Sequence, residues 1–213
     1  MDEVIGAYIP TLVMLFYAYR AIPFVIGILI KAENHHNKVL AVESSLKKYL
    51  LLYTWAVFLF PTIGTAIWLA IWEEGNIKDS ISETVSLMGE FFLYYVTANA
   101  FVSNGYLILN GDVLLYRRAK YADSYTERDK MLVWATRPWA TDWYLASFIS
   151  VFMISFAYVA IAPLVCVAGA LWANVRYFTD KYNLLCLFYV DHESRGQTPK
   201  TAVRYLMISI SIF

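Results

Sequence analysis

The chain has 213 residues, of which 60% are hydrophobic and only 16% charged, against about 45–50% and about 25% in soluble domains. Its 17 basic and 17 acidic side chains cancel, leaving no basic surface for nucleic acid, and the composition excludes an ordinary water-soluble enzyme. No charge at all occurs in residues 49–72, 91–111 and 143–175, and Arg20 is the one charge in 4–30; since about 20 apolar residues cross a bilayer core, this is a multi-pass integral membrane protein.

In chain order, the first span is expected over about 5–30, with Pro10 and Pro23, and its acidic start does not suit a secretory signal. The second covers about 48–72, where Pro61 and Gly64 predict a kink that neighbouring helices must satisfy. The third, about 85–116, is the most polar. The fourth, about 142–175, has Thr141 as expected N-cap; its 33 uncharged residues would reach about 50 Å, so it must tilt, bend near Pro163 or protrude. The last apolar stretch, 201–213, is too short to cross and reads as a truncated fifth span, so the chain is expected to be part of a longer one. The fold class expected is therefore all-α: a polytopic transmembrane bundle of four full spans plus a truncated fifth.

Lys and Arg number four in 31–48, one in 73–84, six in 117–137 and five in 176–204. Basic loops stay cytoplasmic, which puts the N-terminus outside and the 31–48 and 117–137 loops inside. Strict alternation then leaves the last five basic residues outside, against the same rule. Cys166 and Cys186 are too few for a disulfide framework.

Catalytic chemistry finds little support. His35, His36 and His192 are too few for a membrane di-iron site, and the adjacent pair in a charged loop reads as solvated. Gly111-Asp112 lacks the second membrane carboxylate that an aspartyl protease needs, and reads as a turn. Phosphate-binding glycine loops and nucleophile motifs are absent from the sequence. No enzyme, cofactor or metal is expected.

The informative element is the third span. Tyr95, Asn99, Ser103, Tyr106 and Asn110 are spaced by 4, 4, 3 and 4 residues, which at about 100° per residue places them within an arc of about 80°. Hydrogen-bonding groups facing lipid are costly, so this face meets either water, as a pore lining, or partner helices. Thr97 and Asn104 are expected on the opposite face. Ser103, Gly105 and Pro163 are candidate hinges, Gly111 closes the span, and Glu90 is a candidate pore-mouth carboxylate. Arg20 either faces the bundle or snorkels to an interface.

The segments KAEN (31–34), KKYLLLYTWAVFLFPTIGT (47–65), FFLYYVTANAF (91–101), YVAIAPLVCVAGALW (158–172), DKYNLLCLFYV (180–190) and HESRG (192–196) resemble the OSCA family, over essentially the whole chain. These are hyperosmolality-gated, calcium-permeable, mechanosensitive cation channels related to the anoctamins and the transmembrane-channel-like proteins. The resemblance implies a central piece of the channel region, with the third span as gating helix and a pore within each subunit. It also implies membrane lipids and calcium, sodium and potassium as partners, a homodimer or a monomer, and a plasma-membrane location. Ser103 stands where many relatives have a glycine hinge, and Leu107-Ile108-Leu109-Asn110 where animal relatives carry Glu-Leu-Leu-Arg. An anoctamin-like phospholipid scramblase, or a non-conducting structural membrane protein, is the alternative.

Overall fold

A computed structural model describes residues 11–63, 77–191, 194 and 196–212. Pro10, Gly64, the outer part of the second expected span and His192 lie outside the described residues. The described chain is a helical bundle. Helix α1 is Thr11–Glu33. Helix α2, Lys38–Tyr53, runs on through a π-helical turn, Thr54–Leu59. Helix α3, Ile77–Ala98, continues through a second such turn, Asn99–Ser103, into α4, Asn104–Leu109. Then come two loop helices, α5 (Gly111–Ala122) and α6 (Glu127–Trp134), and three longer ones, α7 (Thr141–Ala157), α8 (Pro163–Cys186) and α9 (Gln197–Ile212).

Each of the first three helices carries one turn in which an amide bonds five residues back rather than four. Ile22 N–H donates to Tyr17 O, Phe60 N–H to Trp55 O and Asn104 N–H to Asn99 O. The first two have a common cause. Pro23 and Pro61 follow their π turns closely; a proline has no N–H, and its ring collides with the carbonyl four residues back unless the helix widens there. The third turn, Asn99–Ser103, contains no proline.

Short polar caps reverse the chain between α1 and α2. Asn34 ends α1 in the left-handed conformation at φ 47°, which asparagine tolerates. Asn37 then caps α2, its side-chain oxygen accepting from Val39 N–H at 3.0 Å. The Glu33 carboxylate, beyond the apolar part of α1, receives the Lys48 ammonium, His35 at 2.8 Å and Ser44 Oγ at 3.2 Å. These donors, Lys48 first, push the Glu33 carboxyl down to about 2 from its ordinary 4.5. A depressed carboxyl stabilises the folded state in full above its unfolded value and loses that contribution as the pH falls through the folded one. The gap in apparent Tm between wild type and Glu33→Gln should therefore be constant above pH 4.5 and close between pH 4.5 and about 2; a gap that persists at the acid end would contradict this.

The expected fourth span is not one helix. Its 142–175 stretch breaks at 158–162 and folds back as an antiparallel hairpin of α7 and α8. Pro163 is the cause: the residue before a proline is driven out of the helical region, and Ala162 stands at φ −132°, ψ 84° with the proline opening α8. Pairings across the hairpin run in opposite senses. Ser155 meets Gly169, the Phe148 ring lies 5.5 Å from that of Trp172, and Ser147 accepts from Arg176 at 3.3 Å. At the open end two short strands, β1 (Arg137–Pro138) and β2 (Phe188–Tyr189), pair in parallel. Thr141, the expected cap, is the first residue of α7, with Ala140 at the cap position.

This reversal corrects the topology. The chain leaving α8 returns to the end where α6 and β1 lie, and Lys38 reaches Asp191 at 2.7 Å. The basic loops 31–48 and 117–137 and the chain leaving α8 thus share one end, and Arg176, counted among the five basic residues that alternation had placed outside, is buried within α8 rather than in a loop. Among the described residues α1 is the helix long and apolar enough to cross a membrane by length and composition; α7, with 17 residues and about 25 Å, is a shorter apolar one. Four full spans are thus not what the described helices present.

Packing is tight inside and apolar outside. Leu46, Leu50, Tyr53 and Val57 of α2 are buried with Ala146, Ile149 and Ile154 of α7, and α9 lies against both helices. Tyr158 at the hairpin tip closes one end, with its ring 4.7 Å from Phe92 and 6.2 Å from Phe58. Phe24, Phe60, Phe101 and Leu185 point outward at 63–76% exposure, as suits a lipid-facing surface.

Candidate functional site

The third π turn lies in the polar part of the α3–α4 rod, and its cause is the side chains themselves. In a regular helix Ala100 O would accept from Asn104 N–H. Here Asn104 Nδ2 takes that carbonyl at 3.1 Å, and its own N–H moves back to Asn99 O. One turn earlier, Asn99 Nδ2 donates to Tyr95 O at 3.1 Å. Side-chain amides inserted into the ladder widen the helix where the polar residues are densest.

The extra residue changes which side chains share a face. Tyr95, Asn99 and Ser103 are buried on the side met by α1 and α8, as their regular spacing places them. Beyond the bulge the phase advances by about 100°. Asn104, expected on the opposite face, is therefore fully buried, while Tyr106 and Asn110 turn to half-buried positions. The five stripe residues do not form a single continuous line. Thr97 is half-buried.

Partners come from two other helices. Tyr19 of α1 donates to Asn99 Oδ1 at 3.0 Å, and its ring packs edge-on against Trp143 of α7 at 5.3 Å. The Arg20 guanidinium, which either faced the bundle or snorkelled, reaches down to the Tyr106 hydroxyl and lies 5.6 Å from its ring. Arg20, Tyr19, Tyr106 and Trp143 line a cavity of about 660 Å³ between α1 and α4, with Phe16 and Phe24 at its outer wall.

At the basic end, Asn110 is left-handed (φ 49°) and separates α4 from α5. Its Nδ2 donates to Asn183 Oδ1 at 3.1 Å, and the fully buried Asn183 donates to Leu107 O at 3.4 Å. The break expected around Gly111-Asp112 thus falls one residue earlier. Gly111 is required for another reason: a Cβ there would stand 2.3 Å from the Tyr106 ring. Gly105 has open space around it and lies within regular helix, so the backbone departs from α geometry before it, at the π turn closed by Ser103, and after it, at Asn110. Glu90 is exposed on α3 beside Gly89, which faces Ala162 of the hairpin turn.

A second polar group lies on α8 and was invisible when the fourth span was ended at Val175. Arg176, 1% exposed, donates from Nε to Asp180 Oδ2 at 2.9 Å and from a terminal nitrogen to Ser147 Oγ at 3.3 Å, over the Tyr144 ring at 5.0 Å. Its other terminal nitrogen, Asp180 Oδ1 and Asn104 Oδ1 are buried without a partner. Such orphaned groups mark polar interior space suited to water. Continuing the helical period past 175 would have found them: Gly169, Trp172, Arg176, Thr179 and Asn183 recur at intervals of 3 and 4 and are all buried.

Among the described residues no three His, Cys, Asp or Glu side chains converge on a metal position. Cys166 is half-buried and Cys186 exposed, both free.

A helical bundle with apolar outer walls, a third helix that turns an asparagine-bearing polar face toward α1 and α8, and the basic loops 31–48 and 117–137 at one end suits a transport or channel region. Comparison with known families agrees. Residues 1–213 match, end to end, the family model described as the calcium-dependent channel, 7TM region. The chain belongs to that family of integral membrane channel regions.

Proposed function

We propose that this chain is the conducting region of an OSCA-type, mechanically or osmotically gated, calcium-permeable cation channel of the plasma membrane. The observation that carries the reading is the π turn at Asn99–Ser103, where the gating rod is already wider than an α-helix and its amides face α1 and α8. The rod, α1 and α2 cross the bilayer, the α7–α8 hairpin enters from the basic, cytoplasmic end, and α9 begins the next crossing. In the geometry described here the polar side chains are closed upon one another. Bilayer tension favours whichever state occupies more area, and separating the rod from α1 and α8 exposes Tyr95, Asn99, Ser103 and Asn104 to water. Returning the bulge to a regular ladder would turn α4 by about 100° and carry Tyr106 and Asn110 with it. Calcium, sodium and potassium are the expected permeants; no bond is made or broken, so no catalytic group is needed. Assembly is as a homodimer or a monomer.

The cavity between α1 and α4 supports a second reading, lipid scrambling, because its wall joins Arg20 and Tyr106 to the lipid-facing Phe16 and Phe24. Purified protein in liposomes loaded with a calcium dye and doped with a fluorescent phospholipid separates the two. A channel admits calcium under osmotic swelling and leaves the lipid on its own leaflet. Lipid flip without calcium entry would replace the channel reading with the scramblase one.

A further inference from the structure

Among the described residues Arg176 is the one charged residue that is fully buried, and α8 and the polar rod together set its place. Gly89 of the rod lies against Ala162 at the start of α8, and Asn110 bonds Asn183 near its end; both pairs are 73 residues apart. The two helices therefore run parallel and in step. Arg176 stands about level with Ser103, at the close of the π turn, where the 91–111 stretch brings no charge of its own.

Tyr19 joins the two groups. Its hydroxyl donates to Asn99 Oδ1, its ring lies on Trp143, and it is near enough to Arg176 to act on the charge there. The guanidinium thus sits where α1, α7, α8 and the rod meet. One of its terminal nitrogens and Asp180 Oδ1 on α8, and Asn104 Oδ1 on the rod, are buried without partners, so water entering between these helices finds bonding groups on both sides. The compensating carboxylate is off-centre. Asp180 lies one turn further along α8 and is 27% exposed against 1% for Arg176, so water screens the negative member of the pair more than the positive one. A fixed charge acts twice as strongly on a divalent ion as on a monovalent one at the same distance.

We propose that Arg176 is the charge-selecting residue of the ion path: a fixed positive charge that restrains calcium more than sodium or potassium, with Asp180 setting how much of it an ion meets. The proposal rests on the channel reading and adds to it the residue that sets the balance among the permeant cations.

The test records currents through the purified protein in giant liposomes under suction, with calcium on one side and sodium on the other. The reversal potential gives the calcium-to-sodium permeability ratio. Arg176→Gln leaves the Asp180 carboxylate, which is exposed enough for water to solvate, and should raise the ratio at least about threefold. Arg176→Lys keeps the charge and should keep the ratio near that of wild type, which loss of a purely structural guanidinium would not predict. Arg176→Met/Asp180→Leu removes both charges without leaving either one buried alone, and its ratio should lie between those of wild type and Arg176→Gln. A raised ratio in the double variant therefore decides the matter even if the single variant fails to fold. Wild-type ratios in Arg176→Gln and in the double variant, with tension-activated current intact, overturn the proposal and leave the channel reading standing. A wild type that passes no current overturns both.

Discussion

Asp180→Ala is expected to lower the stability of the bundle by about 3 kcal/mol, because it strips the one carboxylate from a guanidinium that is 1% exposed. Ser147 Oγ at 3.3 Å and the Tyr144 ring, neither of them charged, would remain beside Arg176. Burying an unmatched charge costs far more than the net worth of the pair. Asp180 itself is 27% exposed, which places the effect at the low end of the usual 3–5 kcal/mol for breaking such a pair. For a chain of this size the apparent Tm in detergent should fall by about 6–12 °C. Replacing both partners, as Arg176→Met with Asp180→Leu, removes the charge together with its need and should recover most of the loss. A double variant as unstable as Asp180→Ala would show that the pair is not what holds this part of the hairpin.

Gly169→Ala is expected to force α7 and α8 apart. The added methyl would sit 2.3 Å from Ser155 Oγ and 2.8 Å from Ser155 Cβ, and the latter is fixed to the α7 backbone and cannot swing aside. Small residues at such crossings let membrane helices approach closely, and overpacking one costs about 1–3 kcal/mol. The damage should spread along the hairpin to the Phe148–Trp172 and Ser147–Arg176 contacts, which depend on the same spacing. Ser155→Gly supplies the missing room, so Gly169→Ala/Ser155→Gly should be more stable than Gly169→Ala alone. Additive losses in thermal unfolding would mean the two residues do not touch.

The membrane class and the polar third helix were legible in the sequence, since composition and the 3–4 spacing of Tyr95, Asn99 and Ser103 carry that information directly. Asn104 was misplaced because a fixed 100° per residue has no means of registering a π turn, and this one arises from where two amide side chains choose to bond. The fourth span was misread for a related reason. Charge counting sees an unbroken 33-residue run through Pro163, and only the backbone at Ala162 shows that the chain turns fully back. That reversal hid Arg176 and Asn183, which had been counted as loop residues and lie buried in the bundle. Tyr19 carried no signal of its own: it matters through Asn99, 80 residues away.

Calcium entry into liposomes under osmotic swelling, measured for wild type beside Asn99→Leu and Ser103→Leu, tests the central claim most directly. If the polar rod lines the ion path, apolar side chains at these buried positions dry it, and flux should fall at least about tenfold in both variants while the protein stays folded. Wild-type flux and wild-type tension dependence in both would contradict the account.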